Sequence, residues 1–234
     1  MDTSLVAALG VGFMLGLRHA LEPDHVAAVS TFVSQERGLL RSCLRGAFWG
    51  IGHTAALMGA GVAIVAFKVE VPRHFERSVD TVVALVLILL GGHVLLRSAS
   101  AFQLHRHAHA HPHDGAPHSH LHVHVGEDGT HGHLHPWRGA RQPILMGLLH
   151  GLAGGGALVL LVMATIPSPA AALLYIAVFG VGSTAGMLVL SGLIGLPFAL
   201  TAGGSRTLAI ALQALVGAGT VIVGVVMLYR LSGG

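Results

Sequence analysis

Stretches of roughly 20 apolar residues with almost no Asp, Glu, Lys or Arg recur along this chain, each about the length that crosses a hydrocarbon core as a helix. Such a stretch must satisfy its own backbone hydrogen bonds when it lies in lipid, which limits spanning structure to helices or closed barrels. Runs of this length and continuity point to helices. The first extends from about Leu5 to Ser34, the second from about Leu44 to Phe67 and the third from about Val79 to Leu96. A polar, histidine-laden segment then precedes runs at about Pro143 to Ile166, Ala170 to Leu200 and Thr207 to Tyr229, with Pro167 and Pro169 separating the fourth from the fifth. The expected fold is an all-α integral membrane protein of about six transmembrane helices. It divides into a first half over residues 1–97, a histidine-rich loop over 98–142 and a second half over 143–234.

Composition agrees with lipid as the solvent. Charged residues make up 10% of the chain and apolar ones 53%, against about a quarter charged in an ordinary soluble domain. The net charge of +3 comes from short basic clusters between apolar runs, which reads as a topology signal rather than a nucleic-acid surface. Assuming six crossings, one side collects Arg37, Arg41, Arg45, Arg97, Arg106, Arg138, Arg141 and Arg206, and the other Lys68, Arg73, Arg77 and Arg230. The richer side should be cytoplasmic. This orientation puts both termini outside a cell (inner) membrane and the histidine-rich loop inside. The first run lacks a basic leader and a small-residue cleavage site, so it is expected to be retained as a span. Cys43 is the sole cysteine, which argues against a disulfide framework, a redox pair and a thiolate path for Cu(I).

The two halves resemble one another. Gly16, Leu17, His19 and Leu21 match Gly147, Leu148, His150 and Leu152, and Gly50, Gly52, Thr54 and Ala55 match Gly180, Gly182, Thr184 and Ala185. Three spans per half force the second half to enter the membrane in the opposite sense, giving a 3+3 inverted repeat with its binding site near the midplane. Small-residue pairs such as Gly12/Gly16, Gly46/Gly50, Gly147/Gly151 and Gly182/Gly186 would let the helices approach closely.

The first run also carries Arg18, His19, Glu22, Pro23, Asp24 and His25 near its middle. An ionised Asp at the centre of a span costs about 3 kcal/mol on insertion scales, so these groups cannot face lipid. A plain ion cluster would account for the Arg and Asp alone, with Arg18 neutralising Asp24 or Glu22. The histidines add donors that suit Ni²⁺, Co²⁺ or Zn²⁺. At about 100° per residue, Asp24 lies about 140° from His19 on an ideal helix, and His25 about 120° the other way. Pro23 cannot donate to the carbonyl of His19, so a local unwinding there could turn all three inward. His53 lies inside the second run, either as a further ligand or as a hydrogen-bonding residue between helices. Glu22 is a further ligand or an orienting group. His150, Ser183 and Thr184 are weaker metal or pathway candidates, since Gly155 and Gly156 stand where the first half has its carboxylate and second histidine. His93 reads as interfacial.

Twelve of the 18 histidines fall in the loop: His105, His107, His109, His111, His113, His118, His120, His122, His124, His131, His133 and His135. Alternation over His120 to His124, a Gly126 to Gly129 turn, and then His131, His133 and His135 would align imidazoles on one face of a β-hairpin. This composition favours local metal binding, as a buffer or sensor or only adventitiously.

The stretch Arg18-His19-Ala20-Leu21-Glu22-Pro23-Asp24-His25-Val26-Ala27-Ala28 resembles the HxxxxDH signature of the nickel/cobalt transporter family. Phe48 to Thr54 resembles that family's second motif, a Gly-His pair after an aromatic position. The resemblance implies a metal role for His19, Asp24, His25 and His53. It implies Ni²⁺ or Co²⁺ as cargo, no catalytic cofactor, and a metallochaperone or urease maturation proteins as partners. The chain is most similar to the short urease-accessory branch, and its loop resembles those of efflux proteins, so uptake and efflux both stay open. A membrane metal sensor or store acting through the loop is the second reading. An intramembrane metalloenzyme is disfavoured because HExxH is missing, and no P-loop is present for ATP hydrolysis.

Overall fold

A computed structural model describes residues 3–67, 72–101, 104–109, 118–123, 140–153, 166, 168–201 and 204–233. These residues form seven helices and a two-stranded hairpin: α1 (Thr3–His19), α2 (Pro23–Val33), α3 (Leu39–Phe67), α4 (Arg73–Ala101), β1 (Leu104–His109), β2 (His118–Val123), α5 (Arg141–Gly151), α6 (Pro169–Thr201) and α7 (Arg206–Leu231). Four of the helices, α3, α4, α6 and α7, are each long and apolar enough to cross a membrane, and α1 with α2 makes an apolar pair bent by 57°, the shape of a broken span or a re-entrant loop. The protein is therefore a helical membrane protein. The helices outrun the apolar runs at several ends because arginine and serine continue them past the hydrocarbon length. The fourth expected span is described only through α5, since residues 154–165 lie outside the described set.

Proline places two of the boundaries. Pro23 opens α2 behind the extended residue Glu22, and Pro169 opens α6, where a missing amide hydrogen costs nothing. Ser205 caps α7, its Oγ accepting from the amide of Leu208 at 3.3 Å.

Packing relies on backbone approaching backbone. Helix α1 lies along α6, α5 along α3, α3 against α6, and α4 against α7. At Gly16 a Cβ would run into the carbonyl of Phe179 and the amide of Ser183, and at Gly147 into the carbonyl of Trp49 and the amide of His53. Gly182 abuts the carbonyl of Phe13 in the same way that Gly52 abuts that of Ile144. In each comparison the residues concerned are 130 or 131 positions apart. Thr54 and Thr184, also 130 apart, hydrogen-bond to each other at 3.2 Å across α3 and α6. Polar side chains hold α7 to α2, with Thr220 and Thr31 sharing a hydrogen bond at 2.9 Å and Gln213 donating to the carbonyl of Ser34 at 2.9 Å. The core around these contacts includes Trp49, Val83, Leu87 and Met187, with Leu57, Tyr175, Ile176 and Phe179 forming a second cluster.

The hairpin differs from its expected pairing. Segment 118–123 pairs antiparallel with the upstream segment 104–109, setting His105 opposite His122, His107 opposite His120 and His109 opposite His118. The expected second strand at 131–135 lies outside the described residues, as do His111, His113 and His124. Alternating histidines on both sides of 110–117 make the upstream pairing equally compatible with a period of two.

Because overpacking a tight contact costs about 1–3 kcal/mol, Gly16→Ala and Gly147→Ala should each lower the thermal midpoint of detergent-solubilised protein. Gly59→Ala and Gly92→Ala, where a Cβ meets nothing within 4 Å, should leave it nearly unchanged.

Candidate metal site

The break between α1 and α2 builds the site. With no amide hydrogen on Pro23 for the carbonyl of His19, the chain closes a tighter turn there, Glu22 N donating to His19 O at 3.0 Å. The helix then restarts at a 57° angle. His19 thus ends one helix while His25 sits in the first turn of the next, and their rings meet with centroids 4.6 Å apart. The contact that an ideal helix forbids is made by the bend.

His53 comes from the middle of α3, with its ring 4.9 Å from that of His19 and 5.2 Å from that of His25. The three imidazoles are buried, His53 completely. Each offers a ligand atom within 4.8 Å of the others. Nε2 of His19 and Nε2 of His53 lie 3.1 Å apart, close to the spacing of about 3.3 Å between two nitrogens bound tetrahedrally to one ion at about 2.05 Å.

Carboxylates stand behind the rings. Nδ1 of His19 donates to Oε1 of Glu22 at 3.0 Å, and Nδ1 of His25 to Oδ1 of Asp24 at 3.2 Å. Arg18 is exposed, and Glu22 and Asp24 pair with His19 and His25 in place of the expected neutralisation by Arg18. Glu22, Asp24 and His25 also converge closely enough to hold an ion.

The second half contributes His150. Its ring lies 5.4 Å from that of His25, and its Nδ1 donates to the carbonyl of Met146 at 3.1 Å. Among the described residues, Nε2 of His25, Nε2 of His150 and Nδ1 of His53 are buried without a hydrogen-bond partner. Buried polar atoms are ordinarily satisfied, so unpartnered nitrogens on three rings that meet at His25 make this cluster a candidate place for a ligand.

The other candidates fall further out. Ser183 is buried beside Gly16, its hydroxyl also without a partner among the described residues. Thr184 is engaged with Thr54 on the α3–α6 seam. His93 lines a cavity of about 380 Å³ with Phe32, Gln35, Arg45, Gln142 and Met146. Two aromatic walls were not singled out from the sequence. Trp49 packs on His150 at 4.8 Å and Phe179 on His19 at 5.4 Å. The repeat offset, which relates 49 to 179 and 19 to 150, carried that signal.

Apolar helices that bury four imidazoles at their meeting point, two of them paired with part-exposed carboxylates, suit a membrane protein that handles transition-metal ions. The chain belongs to the high-affinity nickel-transport protein family, whose model matches residues 5–229. It is 37% identical over 208 residues to the urease accessory protein UreH of Bacillus sp. (strain TB-90), covering 86% of this chain and 82% of that one. A shorter match, 32% over 93 residues, relates 39% of this chain to 25% of the chloroplast protein FOR GROWTH AND FERTILITY 2 of Arabidopsis thaliana. No solved structure matches the chain.

An ion that binds only the folded site stabilises the fold by about 2.7 kcal/mol at a hundredfold excess over its Kd. Ni²⁺ at that excess should raise the thermal midpoint of the purified protein, and His25→Ala should abolish the rise.

Proposed function

We propose that the protein is a secondary permease for Ni²⁺, with Co²⁺ as a second cargo, working through a midplane site formed by His19, Asp24, His25 and His53. The observation that carries this reading is the convergence of three buried imidazoles from α1, α2 and α3 within 4.8 Å inside a bundle of apolar helices. A permease must hold its ion without trapping it. Imidazole nitrogens suit Ni²⁺, and Zn²⁺ fits the same donors.

The halves 1–97 and 143–234 form a 3+3 inverted repeat in this reading. The matched contacts of Gly16 with Gly147 and of Gly182 with Gly52 support it, as does the meeting of Thr54 with Thr184. The charge asymmetry supports termini outside and the loop 98–142 in the cytoplasm. In that orientation the cavity beside His93 and Met146 is the cytoplasmic vestibule, and the loop histidines are a metal reservoir at its mouth. The nickel-transport family and a relative named for urease accessory function favour uptake that supplies a metallochaperone or urease maturation proteins. Efflux through the same site is the alternative direction.

Reconstituted in liposomes, the protein should move Ni²⁺, and the double variant His19→Ala/Asp24→Ala, which removes a ring nitrogen as well as a carboxylate, should reduce the flux by more than the about 10- to 100-fold that losing an orienting group alone costs. Deletion of residues 105–135 should leave flux standing. Loss of flux on that deletion, with His25→Ala behaving as wild type, would instead identify a protein acting through its loop. Uptake and efflux measured on matched cells assign the direction.

A further inference from the structure

We infer that the ion is held by imidazole nitrogen alone, with His150 of α5 as the fourth ligand, and that Glu22 and Asp24 are positioning residues one step removed from the metal. This rests on the permease reading and refines its site. The argument runs through the hydrogen-bond partners of Nδ1. A carboxylate and a backbone carbonyl can only accept. Since Nδ1 of His19 faces Glu22, Nδ1 of His25 faces Asp24 and Nδ1 of His150 faces the carbonyl of Met146, the ring proton of all three resides on Nδ1. Their lone pairs are therefore on Nε2. A metal-ligating histidine is ordinarily held in this way, donating its other nitrogen to a carboxylate or carbonyl that fixes tautomer and ring orientation.

The Nε2 atoms are the ones left to bind. Those of His25 and His150 are buried without a partner among the described residues, and that of His19 meets only Nε2 of His53. His53 has no carboxylate or carbonyl fixing either nitrogen among the described residues; with the lone pair of His19 on Nε2, their 3.1 Å contact puts the His53 proton on Nε2 and leaves its buried, unpartnered Nδ1 as the nitrogen able to ligate. His25 is the hub, in ring contact with His19, His53 and His150 at 4.6, 5.2 and 5.4 Å. The second half, which the HxxxxDH pattern leaves without a carboxylate, thus contributes one donor to a shared centre.

The division of labour bears on selectivity. Carboxylate oxygens in direct contact would invite Mg²⁺ and Mn²⁺, whereas four neutral imidazoles favour the later divalent ions. The two carboxylates raise the basicity of the rings without offering a hard ligand.

Trp49 reports on this centre directly, since its indole packs on His150 at 4.8 Å and faces His25 at 6.5 Å. In the full chain carrying Trp137→Phe, Ni²⁺ should quench Trp49 fluorescence, and millimolar Mg²⁺ should neither quench nor compete. His150→Ala and the bulkier His150→Gln should each shift the quenching midpoint upward by more than about tenfold. Asp24→Asn, which keeps an acceptor oxygen for Nδ1 of His25, should stay within about tenfold of wild type, while Asp24→Ala should lose about 10- to 100-fold. Nickel X-ray absorption on full-length protein with the twelve loop histidines replaced by serine should give four imidazole nitrogens, falling by one in His150→Ala and unchanged in Asp24→Asn. A nickel–oxygen contribution that vanishes in Asp24→Asn, or a coordination shell unaltered in folded His150→Gln, overturns the assignment. Binding with this shell but no liposome flux ends the permease reading alone, flux with a carboxylate-bound ion ends the ligand assignment alone, and a wild type that never quenches ends both.

Discussion

The pyrrolidine ring of Pro23 takes away the amide hydrogen that would bond to the carbonyl of His19, and α1 stops there. In lipid an interrupted helix is tolerated only where neighbouring protein covers the exposed backbone. The cover here is α6 on one side, where Gly16 lets the Phe179 and Ser183 backbone approach and Ala20 meets Gly186. Buried imidazoles and the polar groups beside them impose a second demand, because each must find a partner inside the bundle. Both demands are met at the same place: the bend that opens the backbone also brings His19 and His25 together and sets a carboxylate behind each.

The other elements secure that arrangement. His53 reaches the centre because Gly147 and Gly151 let α5 lie against the α3 backbone at Trp49 and His53, and the same contact carries His150 inward. Helix α7 ties down α2 beyond the bend through Thr220 and Gln213. At the basic end of the bundle, Arg45 pairs with Glu36 at 2.7 Å. A polar link in a low-dielectric surrounding is costly to leave unmade, so these bonds restrict how far α2 can swing.

Much of this was readable from residue order. Apolar run length gave the helices, and Pro23 gave the break, because both are local properties. The motif singled out the first-half histidines that meet at the bend, and the repeat gave the glycines that would meet backbone. What could not be read depends on three-dimensional register. Nothing local indicates that His53 would sit nitrogen to nitrogen with His19, that Arg18 would turn outward, or that Trp49 would cover His150. The hairpin shows the same limit in another form. Histidine alternates through 105–113, 118–124 and 131–135 alike, so side-chain period could not choose the partner of 118–123.

The bond between Thr54 and Thr184 joins residues that occupy the same place in their respective halves. If the halves are the inverted repeat proposed above, two equivalent atoms in contact must straddle the line about which one half is turned into the other. Exchanging the shapes of the two halves leaves such a contact where it was. This pair of hydroxyls would therefore be a fixed fulcrum, common to states open on either side of the membrane, while the aromatic walls at Trp49 and Phe179 trade places around it.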